Sequence, residues 1–302
     1  MKQFLKTPKK IRLKRAQPLL GTYVEITVSG FSSRLLHDAI TKAFLTMKKV
    51  QNLMSFYDEK SDISKLNDYA YQNSFQIHPW TYRVLKKAIK ISKFSHGSFD
   101  ITVAPILQKN GFLPEIFPKS SVQCLMGDFE HIHLESNNKV WFSKKGLRID
   151  LGGIAKGFAV DQAVNALKRM GVTSGLVNAG GDMRAFGGKS FPVRIRHPKK
   201  PSLGIAKITL QNTSLSNSGH YFQTKEINAE KQSHLINPKL KKTSFHFLGV
   251  GVKAPTCLCA DALTKVLINE GEGSSKILHK LNGTGYVIRE QKNGSCSFHW
   301  LS

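Results

Sequence analysis

The sequence predicts an α+β protein, and three observations predict it. Apolar residues recur at helical spacing over residues 34–54, at Leu35, Leu36, Ile40, Ala43, Phe44, Met47, Val50 and Leu53. Short strand-like runs lie between the helical stretches, beginning with residues 19–29, where Tyr23, Ile26 and Val28 stand among small or polar residues. Glycine turns at Gly152-Gly153 and Gly180-Gly181 punctuate the centre. The chain has 302 residues, 40% hydrophobic and 22% charged, which is ordinary globular composition and enough to bury a core. No run reaches the roughly 18 apolar residues of a membrane-spanning helix.

The elements follow in order. Residues 1–17 read as a basic, disordered arm and 18–302 as the functional domain. After the helix at 34–54, Ser61 is placed to cap a short helix ending near Asn67. Pro79 opens and Gly97 closes a helix over 79–96. Strands are expected within 120–149, including the runs at 140–143 and 147–150. A helix follows Gly152, and a strand at 175–185 runs into the second glycine turn. Two strands span 191–212, and Ser214–Gly219 reads as another. Residues 225–246 are polar and Lys-rich and read as loop. A strand at 247–254, helices at 257–269 and 274–281, and a last strand at 284–289 complete the pattern.

The net charge is +25, from 45 Lys+Arg against 20 Asp+Glu. An excess of this size speaks to partners, not to fold. The stretch from Lys9 to Arg15 suits an anionic membrane surface, and the general excess suits an anionic small substrate. Lys is also spread along the whole chain, which fits a solubility role, and no nucleic-acid-binding motif accompanies it. Lys6, Lys9, Lys10 and Arg12 interrupt any apolar run near the start, so no signal peptide is read and a cytoplasmic location is expected. Cys124, Cys257, Cys259 and Cys296 match neither a zinc site nor a redox CxxC and read as free thiols.

The segment from Ile149 to Gly188 is the most informative. Gly152 and Gly153 precede a helix whose first turn holds Lys156 and Gly157. Helix N-termini with exposed N–H groups attract anions, and glycine lets a ligand approach the backbone. Lys156 adds a point charge for a phosphate. The second turn, Asn178 to Asp182, joins close backbone approach to a carboxylate. The spacing is neither a Rossmann nor a Walker fingerprint, and two tight strand–helix turns without a ligand would look the same.

Six blocks in order make the chain resemble the ApbE family of FAD:protein FMN transferases, from about Leu19 to about Ile288. They are LLGTYVEI, MSFYDEKSDISKLN, GSFDITVAPIL, IDLGGIAKGFAVDQ with NAGGD, SLSNSG followed by HLINP, and GVKAPTCLCADAL. The resemblance implies a duplicated, tunnelling-type α+β fold with FAD in a cleft between the halves. It implies FAD contacts from Met54, Ser55, Tyr57, Phe99, Asp100, Thr102, Lys156, Gly180, Gly181, Asp182, Ser218 and Gly219. It implies catalytic roles for His234 and Asp261, and a Mg²⁺ site from the Ala155 carbonyl, Asp261 and Thr264. The implied reaction moves FMN from FAD to a Thr or Ser hydroxyl of an acceptor flavoprotein and releases AMP.

Four positions depart from the family's pattern. The family's Asp-Ala-Leu-x-Thr is Asp261-Ala262-Leu263-Thr264-Lys265 here, so Lys265 stands four residues after the aspartate. At about 100° per residue Thr264 still lies near the same helix face, while Lys265 puts a cation where a ligand is expected. His220 replaces an acidic residue, Asn237 replaces the aspartate before Pro238, and Lys241-Lys242 crowd the position of a glycine. These changes open alternatives: an FAD-binding protein without catalysis, an FAD pyrophosphatase releasing FMN and AMP, or a basic peripheral protein. Taken without the family blocks, His234 reads as a structural histidine and Asp261 as a helix cap.

Overall fold

The computed structural model describes residues 10–115, 128–219, 224–227, 230–243 and 245–301. Its frame is an eight-stranded sheet whose strands lie side by side in chain order. They are β1 (Ile11–Leu19), β2 (Thr22–Gly30), β3 (Ser174–Ala179), β4 (Asp182–Phe186), β5 (Ser214–Gly219), β6 (Gly249–Ala254), β7 (Thr284–Glu290) and β8 (Cys296–Trp300). Every neighbouring pair is antiparallel.

The helices are α1 (Ser33–Met54), α2 (Asp62–Tyr69), α3 (Pro79–Phe94), α4 (Ala104–Lys109), α5 (Ala155–Arg169), α6 (Cys257–Glu270) and α7 (Ser275–Lys280). Leaving aside the segments between α1 and α5, between β4 and β5 and between β5 and β6, the order strand–strand–helix–helix–strand–strand occurs twice. The first unit is β1, β2, α1, α5, β3, β4, and the second is β5, β6, α6, α7, β7, β8. The seam between them is short: Ser214 pairs with Arg184 and Leu215 with Met183.

Side chains alternate faces along a strand, so the sheet separates two cores. Val24, Ile26, Val28, Phe186, Val250, Val252 and Val287 face the helices in the larger core. Met183, Ala185, Leu215, Tyr286 and Ile288 face the other way, where the hairpin Phe191–Arg196 with Gly204–Leu210 covers them. The same parity turns Asp182, Ser216 and Ser218 toward the helices.

Helices α5 and α6 cross at a glycine. A Cβ on Gly157 would lie 2.3 Å from the Cys257 carbonyl oxygen and 2.8 Å from the Asp261 Cβ. Only glycine permits that approach. Each helix also supplies a carboxylate to the start of the other. Asp161 of α5 accepts from the Cys257 and Leu258 N–H groups at 3.0 and 2.9 Å, and Asp261 of α6 accepts from Gly157 N–H at 3.0 Å. Negative charge at a helix start offsets both unpaired N–H groups and the macrodipole.

The predicted caps stand: Ser61 accepts from Ser64 N–H at 3.0 Å, and Pro79 opens α3. Four expectations are corrected. The basic arm does not extend to residue 17, because Ile11–Leu19 is the edge strand. Two of its charges are engaged: Lys14 pairs with Glu25 at 2.7 Å, and Arg15 donates to Thr41 Oγ1 at 2.8 Å. Residues 19–29 are not one strand, since Leu20 and Gly21 turn the chain with φ of 57° and 69°. Two successive positive φ values match the twist of a tight hairpin. Residues 147–150 form no strand, because the backbone of Ile149 pairs with the Asn67 side-chain amide instead, at 2.8 and 3.0 Å. Within 225–246 there are two hairpins, Thr224–Ile227 with Glu230–Ser233 and Ile236–Asn237 with Lys242–Thr243. Strand β8 was not anticipated. His220 and Cys124 lie outside the described residues.

Candidate functional site

At the seam of the two units, carboxylates and ammonium groups meet under the α5 start. Asp182 leaves β4 on the helix side and pairs with Lys156 at 2.9 Å; Ser216 on β5 donates to its other oxygen. Asp261, fully buried, receives Gly157 N–H on Oδ2, with the Lys156 ammonium 4.0 Å away. Its Oδ1 is ion-paired with Lys265 one helical turn on, and Lys265 Nζ also donates to the Asp261 carbonyl oxygen at 3.2 Å. Thr264 donates to that carbonyl at 2.7 Å and shares a 2.7 Å hydrogen bond with Ser218 Oγ.

The electrostatics follow from these pairings. Burial opposes the Asp261 charge, but Lys156, Lys265 and the Gly157 N–H outweigh it and hold its pKa below the ordinary carboxylate value. Burial likewise opposes the Lys156 charge, and Asp182 and Asp261 outweigh it, keeping its pKa above that of an ordinary lysine. Asp182 is pushed up by burial and by the Asp261 charge, against the pull of Lys156.

The two glycine turns are tight. Gly180 and Gly181 have φ of 62° and 106°, and a Cβ on Gly180 would lie 2.4 Å from Thr22 Oγ1. Asn178 Oδ1 accepts from Gly181 N–H at 2.9 Å, and Asn217 Nδ2 donates to the Gly181 carbonyl at 3.0 Å. At the other turn, Gly153 faces Phe99 and the Lys265 stem, which lie 3.5 and 3.4 Å from where its Cβ would be. Asp150 Oδ2 accepts from Gly152 N–H at 2.9 Å. Burial raises the Asp150 pKa, with the Gly152 N–H and Lys156 pulling the other way.

The remaining predicted residues divide by exposure. Tyr57 is 65% exposed, and its hydroxyl donates to the Phe112 carbonyl at 3.1 Å. Burial and then the Asp150 charge raise its pKa. Ser55 is half-buried and accepts from Tyr57 N–H at 3.1 Å. Phe112 meets the His234 ring edge-on, centroids 6.4 Å apart. Met54, Phe99 and Thr102 are buried, and Gly219 ends β5. Sequence reasoning missed Asp150, Phe112, Ser216 and Asn217. Asp150 stands inside the glycine-rich segment and Ser216 and Asn217 inside the SLSNSG block, whereas Phe112 is recruited by the fold.

Asp100 is buried and accepts from Thr102 N–H at 2.8 Å and Phe129 N–H at 3.2 Å. Burial outweighs these bonds and pushes its pKa to about 6. A carboxyl whose pKa is raised on folding adds stability below its unfolded value, and that stability is lost as pH rises through the folded value. A rise of this size is worth about 3 kcal/mol, removed between about pH 4 and 6. The unfolding free energy from urea melts across that window should fall with pH in the wild type by that much more than in Asp100→Asn. Parallel profiles would show that Asp100 titrates as an ordinary carboxylate.

The donor set implied for Mg²⁺ does not fit a divalent ion. Both Asp261 oxygens hold donors, Thr264 is turned to Ser218 and to a carbonyl, and an ammonium stands within the set. Among the described residues, no group of three or more His, Cys, Asp or Glu side chains is placed to hold a metal. No described helix is long and apolar enough to cross a membrane.

Comparison with known proteins agrees with this architecture. The chain is 31% identical over 268 residues to the FAD:protein FMN transferase of Haemophilus influenzae, covering 82% of this chain and 77% of that one. It is 26% identical to the FAD:protein FMN transferase of Buchnera aphidicola, covering 98% and 91%. Its fold superposes on the ApbE protein of Thermotoga maritima with a TM-score of 0.81 at 25% identity, covering 95% and 96%. The flavin transferase ApbE of Vibrio cholerae gives a TM-score of 0.77 at 22% identity, covering 97% of each chain. With the ApbE family model matching residues 20–288, the chain belongs to the ApbE family.

Proposed function

We propose that this protein transfers the FMN half of FAD to a Thr or Ser hydroxyl of an acceptor protein and releases AMP. The observation that carries the reading is the convergence of Lys156 and Lys265 on one buried carboxylate at a glycine turn, with Tyr57 exposed and close enough to feel the Asp150 charge. Two fixed ammonium groups suit a diphosphate, and an exposed aromatic ring suits a flat apolar ring system. The names of the Haemophilus and Buchnera relatives support the same reaction.

In the proposed step the acceptor oxygen attacks the phosphorus on the FMN side. A new P–O ester bond forms and the bond from that phosphorus to the bridging oxygen breaks. AMP leaves with the bridging oxygen and its electron pair, and the hydroxyl proton passes to His234. The lysines offset the charge growing on the phosphate oxygens. Ser218 and Thr264 form a neutral rim beside them.

Residues 18–302 are proposed to act as one transferase domain. A cytoplasmic location belongs to the same proposal, and the free thiols of Cys257, Cys259 and Cys296 support it. The net charge of +25 supports an anionic membrane face as a second surface. The test is product analysis with purified protein, FAD and a Thr-containing acceptor peptide. AMP release matched by covalent, fluorescent flavin on the peptide is expected. FMN and AMP released without an acceptor would make the protein a pyrophosphatase, and bound FAD without AMP would make it a carrier.

A further inference from the structure

We infer that the Lys265 ammonium is the resident cation of this site, so that Asp261 and its neighbours work without a divalent ion. The inference rests on the proposed function only where FAD is concerned; its claim about the ion stands on the side chains alone.

The ammonium is held from two sides by one residue, through the Asp261 carboxylate and through its carbonyl oxygen at 3.2 Å. The stem packs against the glycine turn as well, its Cε and Cδ lying 3.4 and 3.7 Å from where a Cβ on Gly153 would be. The side chain remains 17% exposed while the Asp261 side chain is fully buried. The neighbouring oxygens are already committed. Asp182 is taken by Lys156 and Ser216, and Thr264 by Ser218 and the Asp261 carbonyl. Asp182 and Asp261 are each ion-paired with an ammonium group, Lys156 and Lys265, and Asp150 also lies within the field of both lysines. A small divalent ion wants a near-octahedral shell of oxygens and is repelled by an ammonium among them. Lysine supplies one fixed charge and up to three donors, and it cannot be chelated away.

The ion claim is tested on flavin-free protein by titrating with Mn²⁺ and following the loss of the free-ion EPR signal. The wild type should take up no stoichiometric Mn²⁺, and Lys265→Thr should take up about one ion per chain, since the freed Asp261 Oδ1 and the new hydroxyl then face the site beside Asp150. Lys265→Arg keeps the charge and should behave as the wild type. Thermal melts confirm that each variant is folded, and the wild-type titration decides the claim even if Lys265→Thr does not fold. One tightly held Mn²⁺ per wild-type chain would overturn the inference, and so would no uptake by a folded Lys265→Thr.

The second arm measures FAD affinity by flavin fluorescence in EDTA and in Mg²⁺. The wild type should be indifferent to the ion. Lys265→Thr should bind about 10- to 100-fold more weakly in EDTA, the size of one hydrogen bond to a charged group, and recover in Mg²⁺. Wild-type binding that strengthens tenfold or more in Mg²⁺ overturns the inference. No FAD binding by any sample would overturn the flavin reading instead, with the Mn²⁺ titration still deciding the ion claim.

Discussion

Asp261→Ala should cost about 3–5 kcal/mol of stability, the range for removing one partner of a buried ion pair. The carboxylate is fully buried, accepts the Gly157 N–H, and faces both Lys156 and Lys265. Its loss leaves two ammonium groups with one fewer partner and an unpaired N–H at the start of α5. The urea midpoint measures the effect. The pH dependence gives a second reading. The Asp261 pKa is lowered on folding, so its contribution is present above the ordinary carboxylate value, about 4, and lost as pH falls through the folded value. The variant should lack that acid loss. A cost under about 1 kcal/mol would place the ammonium groups in water rather than in the pairings described.

His234→Ala should slow flavin transfer by about 10²- to 10⁴-fold while leaving FAD affinity within a few-fold of the wild type, the pattern for loss of a general base. The imidazole lies at the edge of Phe112, whose carbonyl receives the Tyr57 hydroxyl. Both His234 and Tyr57 thus contact Phe112, and His234 is not among the carboxylate–lysine pairings. AMP release and FAD binding measured on the same samples separate the roles. Equal losses in both would make His234 a packing residue.

Much of the fold was legible because local signals carried it. The 34–54 periodicity, the Ser61 cap and the Pro79 start are all read within one or two turns of chain. Strand β1 was hidden by its charges. Arg12, Lys14 and Arg15 suggested a solvated arm, yet charged residues are common on edge strands, where they discourage further pairing. Residues 147–150 were misread because a distant side chain, Asn67, supplies what a neighbouring strand would otherwise supply. In the site, the Asp261–Lys265 pair was visible from its spacing of one helical turn. The Lys156–Asp182 pair was not, because it depends on which face of β4 Asp182 occupies.

The two repeated units meet through a short strand contact, but α5 and α6 bind each other's starting turns through Asp161 and Asp261. Asp161 is further tied to Arg184 on β4 at 2.6 Å, at the seam itself. Neither unit can open without leaving the other's helix with unpaired N–H groups, so the repeats are bound into one cooperative block despite their separate strand sets. A molecule seated at that crossing would add its binding free energy to the cohesion of the whole block, and its departure would loosen both units at once.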